Sequence, residues 1–307
     1  MSAATVPRRL VLVGSVVVDV RLRVPRLPER GGDLLASSLS ISAGGGMFVL
    51  AAAARGGLPT MYAGRHGAGA FGAVVRAALR AAGVEAVYAP DRAGDTGPCV
   101  VLVEPDGERT MVTANGVEAE LDLQRLSQVD IRSDDAVYVS GYDLAYAVSG
   151  PAIAAWAPDL PHTTMLVCDP GPLVADLPDH VLEPVLARTD VLSLNTREAV
   201  LLAGSAEPAV VGRALLPRLA PDGLLVLRAG VYGATVVPSG AEPITVPVVP
   251  VPARDSTGAG DTHTGALVAA RADGRSWAPA VGAANAAVAA FLERSEEALG
   301  SSGDSHR

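Results

Sequence analysis

The chain has 307 residues, of which 49% are hydrophobic and 4% aromatic, and 24 basic residues face 33 acidic ones for a net charge of −9. That apolar content supplies a sizeable core and excludes wholesale disorder, while the acidic balance excludes the basic footprint of a nucleic-acid binder. Every basic residue is arginine, which also excludes a Walker A P-loop, a Schiff-base enzyme and a pyridoxal-phosphate enzyme, since each needs a lysine amine.

Arg8-Arg9 precedes the apolar run Leu10–Val18 and loosely mimics a twin-arginine signal, but the run ends at Asp19 with no A-x-A site. Its β-branched content predicts a first, buried strand over Leu10–Val18. Residues 19–40 are charged and broken by Pro25, Pro28 and Gly31-Gly32, a loop with short exposed strands. Ala43–Gly57 reads as a Gly-rich turn feeding an Ala-rich helix, and Phe71–Ala82 as a helix stopped by Gly83. Cys99–Val103 and Arg109–Thr113 flank Pro105-Asp106-Gly107 and predict a hairpin.

Further on, Ala136–Ser140, Met165–Cys168, Val191–Leu194 and Leu224–Leu227 are short apolar strands separated by helical stretches, and Ala234–Val237 and Ile244–Val251 add more. Asp261–Ala272 and Pro279–Arg294 predict Ala-rich helices, and residues 295–307 a flexible tail. This alternation implies an α/β class: a three-layer αβα body around a mainly parallel sheet. Segments 19–40 and 96–113 are expected to form a small β-sheet lid on a single domain spanning 1–307. Cys99 and Cys168 are isolated, so no disulfide framework or structural zinc is expected, and a cytoplasmic location is the default. No membrane span is expected, because no run of about 20 apolar residues is free of Gly, Pro or charge.

The strongest chemical signal is Arg254-Asp255-Ser256-Thr257-Gly258-Ala259-Gly260-Asp261-Thr262-His263-Thr264-Gly265, which follows a strand and opens a helix. Small residues let a backbone approach a ligand, and the free amides of a helix start favour an anion. Asp261 at that mouth would repel a phosphate, so it reads either as an N-cap or as a base that takes a proton from an attacking hydroxyl.

Asp255-x-Thr257-Gly258-Ala259-Gly260-Asp261-Thr262 resembles the C-terminal signature of the ribokinase-like (PfkB) carbohydrate kinases. Gly14-Ser15-x-x-x-Asp19, the Gly44–Gly57 region, Gly64 to Gly72, Thr96-Gly97, Asn195-x-x-Glu198 and Arg228-Ala229-Gly230 with Gly233 resemble further segments of that family, in order, over roughly residues 8–294. The resemblance implies a ribokinase-like fold and ATP-dependent phosphoryl transfer to a hydroxyl of a small sugar or, as the alternative, a nucleoside.

It implies Asp261 as general base, with Gly258, Ala259 and Gly260 as the anion hole. Asp19, Gly45, Gly46 and Phe48 would meet the substrate, and Asn195, Arg228, Gly230, Gly233 and Thr257 the ATP. Glu198 and, through water, Asn195 would hold Mg²⁺, although Asn-Thr-Arg-Glu is also near a capping box. Asp255 with neighbouring carbonyls is a candidate monovalent-cation (K⁺) site, as in many relatives. The lid sheets are expected to offer a homodimer contact.

Three departures stand out. Phe48 takes the place of the family's sugar-binding Asn, which suits a less polar substrate face or a stacked base. His263 follows the Asp-Thr pair and reads as a packed helix residue. The family's Thr-Arg-x-Gly-Ala stretch is not recognisable in Phe291–Ala298, so only Asn285 is left as a candidate for the adenine pocket. No basic cluster near Asp19 is evident, so a sugar phosphate is a less favoured acceptor. Two readings from other classes compete. One is a Rossmann oxidoreductase, from Gly67-Ala68-Gly69-Ala70-Phe71-Gly72 with Asp91 about 20 residues on. The other is a non-catalytic sugar- or nucleotide-binding protein, motivated by Phe48.

Overall fold

Successive strand residues bury on opposite faces, and that alternation builds two cores. Leu10, Leu12, Ala136, Tyr138, Met165 and Val167 belong to one, whereas Val11, Val137, Val139, Leu166 and Cys168 belong to the other. The structure, a computed structural model, describes residues 6–253 and 255–301, with side chains through residue 295. Among these residues, a nine-stranded sheet runs in the order β13-β12-β11-β10-β9-β8-β1-β4-β5. Its strands are β1 Arg9–Leu12, β4 Thr60–Tyr62, β5 Glu85–Ala86, β8 Asp135–Ser140, β9 Met165–Asp169, β10 Val191–Asn195, β11 Leu224–Arg228, β12 Ala234–Pro238 and β13 Ile244–Val246. Pairing is parallel from β5 through β11 and antiparallel for β12 and β13. Helices Met47–Arg55, Ala70–Ala81, Ala259–Ala272 and Trp277–Ser301 cover one face, and Ser149–Trp156, Asp179–Arg188, Thr196–Ala203 and Pro208–Leu215 the other. This is the expected three-layer αβα body. β1 pairs with β4 on one side and β8 on the other, a strand-order reversal whose carboxyl edge is where ligands of such sheets bind.

The lid is a second, four-stranded sheet in the order β3-β2-β6-β7, from β2 Val18–Arg23, β3 Ser38–Ala43, β6 Pro98–Val103 and β7 Arg109–Thr113. The predicted hairpin joins β6 to β7, with Gly107 at φ +87°.

The single strand expected over Leu10–Val18 is instead two. β1 stops at Leu12, and Val18 already belongs to the lid. Gly14 makes the break: its φ is +149°, and a Cβ there would lie 2.0 Å from Asp143 Oδ2. Helix Trp277–Ser301 runs on into the segment expected to be a flexible tail. Arg254 and residues 302–307 lie outside the described residues. No single described helix is long and apolar enough to cross a membrane.

The Gly67–Gly72 run does precede a helix and follow a strand, but its anion seat is filled. The amides of Phe71 and Gly72 donate to the Asp95 carboxylate at 2.9 and 2.8 Å. A Cβ on Gly67 or Gly69 would strike Asp95, so these glycines serve an internal cap and leave no room for a pyrophosphate. Burial alone would raise the Asp95 carboxyl, but donation from Gly72, Thr96, Phe71 and Gly69 outweighs it and holds the group below the usual range. The dinucleotide-binding reading is therefore set aside. Asp95→Ala is expected to lower the unfolding free energy by about 0.5–2 kcal/mol, the range for a lost helix cap. Urea denaturation checks this, and an unchanged midpoint would contradict the assignment.

Candidate active site

The parallel register brings distant polar residues to one edge. β8 ends at Ser140, β9 at Asp169, β10 at Asn195 and β11 at Arg228, with Ser140 opposite Asp169 and Asn195 opposite Arg228. Over this edge the start of helix Ala259–Ala272 comes down from one side and the lid from another. Between them lies a cavity of about 370 Å³. Eleven of the predicted site residues line it: Asp19, Gly45, Gly46, Phe48, Asn195, Glu198, Arg228, Thr257, Gly258, Gly260 and Asp261.

The Gly-rich turn is shaped by close approach. Gly258 caps the helix in the left-handed region at φ +79°. A Cβ there would lie 2.6 Å from the Phe48 ring, and one on Gly260 would lie 2.0 Å from Arg228 Nη1. Only glycine lets these two side chains flank the turn. Ala259 departs from expectation: it does not line the cavity, and its amide donates to the Ser256 carbonyl at 3.1 Å. Gly260 and Asp261, the next amides of a helix start, are left to face a ligand. Gly230 and Gly233 also lie outside the cavity lining. They form the turn between β11 and β12, where a Cβ on Gly233 would lie 2.2 Å from the Val246 carbonyl oxygen.

Five ionisable groups converge beneath the turn. Arg228 Nη2 donates to Asp169 Oδ2 at 2.7 Å and lies 3.5 Å from Glu198 Oε2. The Tyr138 hydroxyl reaches Asp261 Oδ1 at 3.4 Å. Burial, then the negative charge of Asp169, pushes the Asp261 carboxyl up to about 7, against the pull of Arg228 and Tyr138. That value suits a base operating near neutral pH. Arg228, expected to touch nucleotide phosphates, is instead committed mainly to carboxylates. Burial would lower its affinity for a proton, but Asp169, Glu198 and Asp261 outweigh that and raise it.

Asn195 and Glu198 make a full capping box: Glu198 N–H donates to Asn195 Oδ1 at 2.9 Å, and Asn195 N–H to Glu198 Oε2 at 2.7 Å. Both residues still line the cavity, so the cap and a metal role are compatible. Asp169 was not singled out from the sequence. Its available signal was an acid at a strand end, the same signal that marked Asp19.

At the acceptor end, Asp19 is buried and raised by burial, with Arg21 opposing. The glycine that faces its carboxylate is Gly44, where a Cβ would lie 2.5 Å away. Gly46 instead packs on Leu12 and the Ser15 carbonyl. Arg21, two residues along β2 and so on the same lid face, donates to Asp19 at 3.1 Å and to Asp255 at 2.8 Å. This is the basic group near Asp19 that went unseen in the sequence. Arg109 of β7 also donates to Asp255 at 3.0 Å and to the Thr257 hydroxyl at 2.5 Å. Burial would raise Asp255, but Thr257, Arg21 and Arg109 prevail and hold its carboxyl below the usual range. With both oxygens on guanidiniums, this residue does not fit the expected K⁺ site. His263 packs against Asn285 at 3.2 Å, and burial pushes it down to about 3, as a helix-core histidine would be.

Residues 7–301 match the model for the pfkB family carbohydrate kinases. The chain is 32% identical over 287 residues to a protein of Escherichia coli K12 named uncharacterized sugar kinase YegV, covering 92% of this chain and 88% of that one. It is 32% identical over 268 residues to an ATP-dependent ribose-1-phosphate kinase of Halopiger xanaduensis, covering 85% of this chain and 84% of that one. The fold is similar to that of Arabidopsis thaliana ribokinase complexed with ribose and ATP, with a TM-score of 0.75, 23% identity and coverage of 94% and 93% of the two chains.

If Asp261, with its carboxyl pushed up to about 7, serves as a base, activity falls as it protonates at lower pH. The ADP-release rate is expected to plateau above that pH and to fall about tenfold per unit well below it. Asp169→Asn removes a like charge and should move this limb to lower pH. A profile that is flat from the plateau into the acid range, or a limb unmoved by Asp169→Asn, would contradict the coupling.

Proposed function

The chain belongs to the pfkB family of carbohydrate kinases and is an ATP-dependent phosphotransferase, and on that premise we propose the following division of labour. Asp261 is the general base, the turn over residues 257–261 is the anion hole, and the acceptor is a hydroxyl of a small sugar held against Asp19. The observation that carries this reading is Asp261 itself, a carboxyl raised to about 7 at the mouth of a glycine turn, facing the same cavity as Asp19.

Asp19 accepts hydrogen bonds from sugar hydroxyls, which offset the cost of a buried carboxylate. The acceptor oxygen then lies toward Asp261, which takes its proton as that oxygen bonds the γ-phosphorus of ATP and the bond to ADP breaks, releasing ADP. The Gly260 and Asp261 amides, which follow the Gly258 cap, meet the charge that builds on the transferred group. Glu198 and, through water, Asn195 suit Mg²⁺, a hard cation that keeps waters and needs few protein carboxylates. When bound, Mg²⁺ neutralises phosphate charge. Asn195 and Glu198 are held rigid by their mutual cap, so they present that surface without reorganising. A cytoplasmic site of action, where ATP is available, is part of this reading.

Phe48 and Tyr142 on the cavity wall favour a second reading, a nucleoside whose base packs on an aromatic ring. A homodimer through the lid belongs to the proposal too. On the lid face turned from the cavity, Ile41, Val20, Val100 and Val112 form one cross-strand row; Val20 packs partly on the body core, whereas Ile41 and Val112 are exposed, Val112 by 67%. Such an apolar row on a sheet suits an isologous partner.

A coupled ADP-release screen against pentoses, hexoses, nucleosides and sugar phosphates identifies the acceptor class; release with none of these would count against the proposal. Asp261→Asn should cut kcat by about 10²–10⁴ while leaving ATP affinity nearly unchanged. Turnover surviving above about a tenth would reject the base assignment. Sedimentation should give a dimer that Val112→Glu converts to monomer. A monomeric wild type would reject the lid contact.

A further inference from the structure

Asp255 sits two residues before Thr257, at the position where the family resemblance implies a monovalent cation, and its surroundings in this chain are of another kind. Arg21 Nη1 contacts Asp255 Oδ2 at 2.8 Å, and Arg109 Nη1 contacts Oδ1 at 3.0 Å. The carboxylate is only 11% exposed, so these contacts use the faces it has. The Thr257 amide takes a further lone pair of Oδ1 at 2.8 Å. A cation entering here would meet two guanidiniums in place of open oxygens.

The other flank of the turn is covered by the last helix. The last helix runs unbroken through Phe291–Ala298, so its carbonyls are directed along the helix to the next turn. Phe291 sets its ring on Phe48, with centroids 5.8 Å apart and planes at 78°, beside the glycine turn. An aromatic pair therefore occupies this flank of the turn.

We propose that Arg21 and Arg109 replace the monovalent cation at Asp255, so that phosphoryl transfer needs no K⁺ and the turn is fixed by the lid itself. The inference rests on the kinase reading of the same site. Asp255 holds the turn through the Thr257 amide, and Arg109 also grips the Thr257 hydroxyl at 2.5 Å. Charge on one carboxylate orders the turn in either design. Here the charge arrives from β2 and β7, which belong to the lid sheet, whereas a bound ion would not tie the turn to the lid. Arg21 and Arg109 are thus positioning residues: they set the geometry of the anion hole through Asp255 and Thr257. Arginine suits this role because its planar fork stays charged and can serve two acceptors at once.

The test compares KCl with choline chloride at constant ionic strength, which keeps screening equal. Two readouts are followed on the wild-type chain, the ADP-release rate and the melting temperature. Both are expected to be the same in the two salts. Several-fold activation by K⁺, or a melting temperature raised by K⁺ alone, would overturn the proposal. Arg109→Met is expected to lower kcat about tenfold, the size of one lost charge-assisted hydrogen bond, with KM for the acceptor little changed. Arg109→Lys should recover part of that loss, and an Arg109→Met enzyme with wild-type kcat would also overturn the proposal. Should Arg109→Met fail to fold, Arg109→Gln carries the same comparison. If the chain releases no ADP with any acceptor, the kinase reading fails, while the melting comparison still decides whether a cation binds.

Discussion

One guanidinium among three carboxylates is the constraint on which the site depends. Asp169, Glu198 and Asp261 converge on the carboxyl edge of the sheet, and burying that much negative charge without a partner would protonate the group or unfold the edge. Arg228 meets the demand from inside. It stands opposite Asn195 in the β10–β11 register, bonds Asp169, lies near Glu198, and reaches the turn only because Gly260 has no side chain. One positive charge against three negatives leaves the cluster short by two. That shortfall is expressed in Asp261, the group pushed up to about 7, and in Glu198, raised first by burial and then by Asp169. A cavity with a deficit of positive charge and a helix start facing it suits a ligand that arrives with metal and phosphate together.

The parts of this arrangement written locally in the chain were readable. Strand positions followed from apolar runs between turns, the hairpin from Pro105-Asp106-Gly107, and the turn at 258–260 from its glycines. The Asn195–Glu198 cap is set by a spacing of three, which places both groups on the first helical turn. The parts that failed depend on residues far apart. Leu10–Val18 looks uniform, and its break at Gly14 is imposed by Asp143, a partner from beyond β8. The Gly67–Gly72 run is a sound anion seat by its own sequence, and only Asp95, from a later loop, shows that the seat is filled. Asp169 and Arg228 each sit at a strand end, but their pairing needs the sheet order. Arg21 is the intermediate case: period-two alternation places it on the face of Asp19, whereas its bond to Asp255 spans most of the chain.

Local cap and chemical group also need not compete. Glu198 is buried and accepts two bonds from Asn195, which fixes its rotamer, and the residual faces of both groups still look into the cavity. A side chain held by a helix cap loses little entropy on meeting a ligand, because its freedom was already given up on folding. The same holds for Thr257, whose amide and hydroxyl are both engaged before any substrate arrives. The site is therefore preorganised by groups that a sequence reader would assign to structure alone.

The absence of lysine from the whole chain gains its meaning here. A buried ammonium readily loses its proton in a dry site, whereas guanidinium stays charged and distributes that charge over a planar fork. Arg228 has to remain cationic within the sheet edge, and Arg21 has to bridge Asp19 and Asp255 with separate nitrogens. Neither task fits a single ammonium point charge. On the proposed reading the glycine turn would bind its anion through backbone amides, so no flexible amine would be required of it. Arginine then builds the fixed electrostatic frame at the sheet edge and the lid, and the glycines of the turn make room for it.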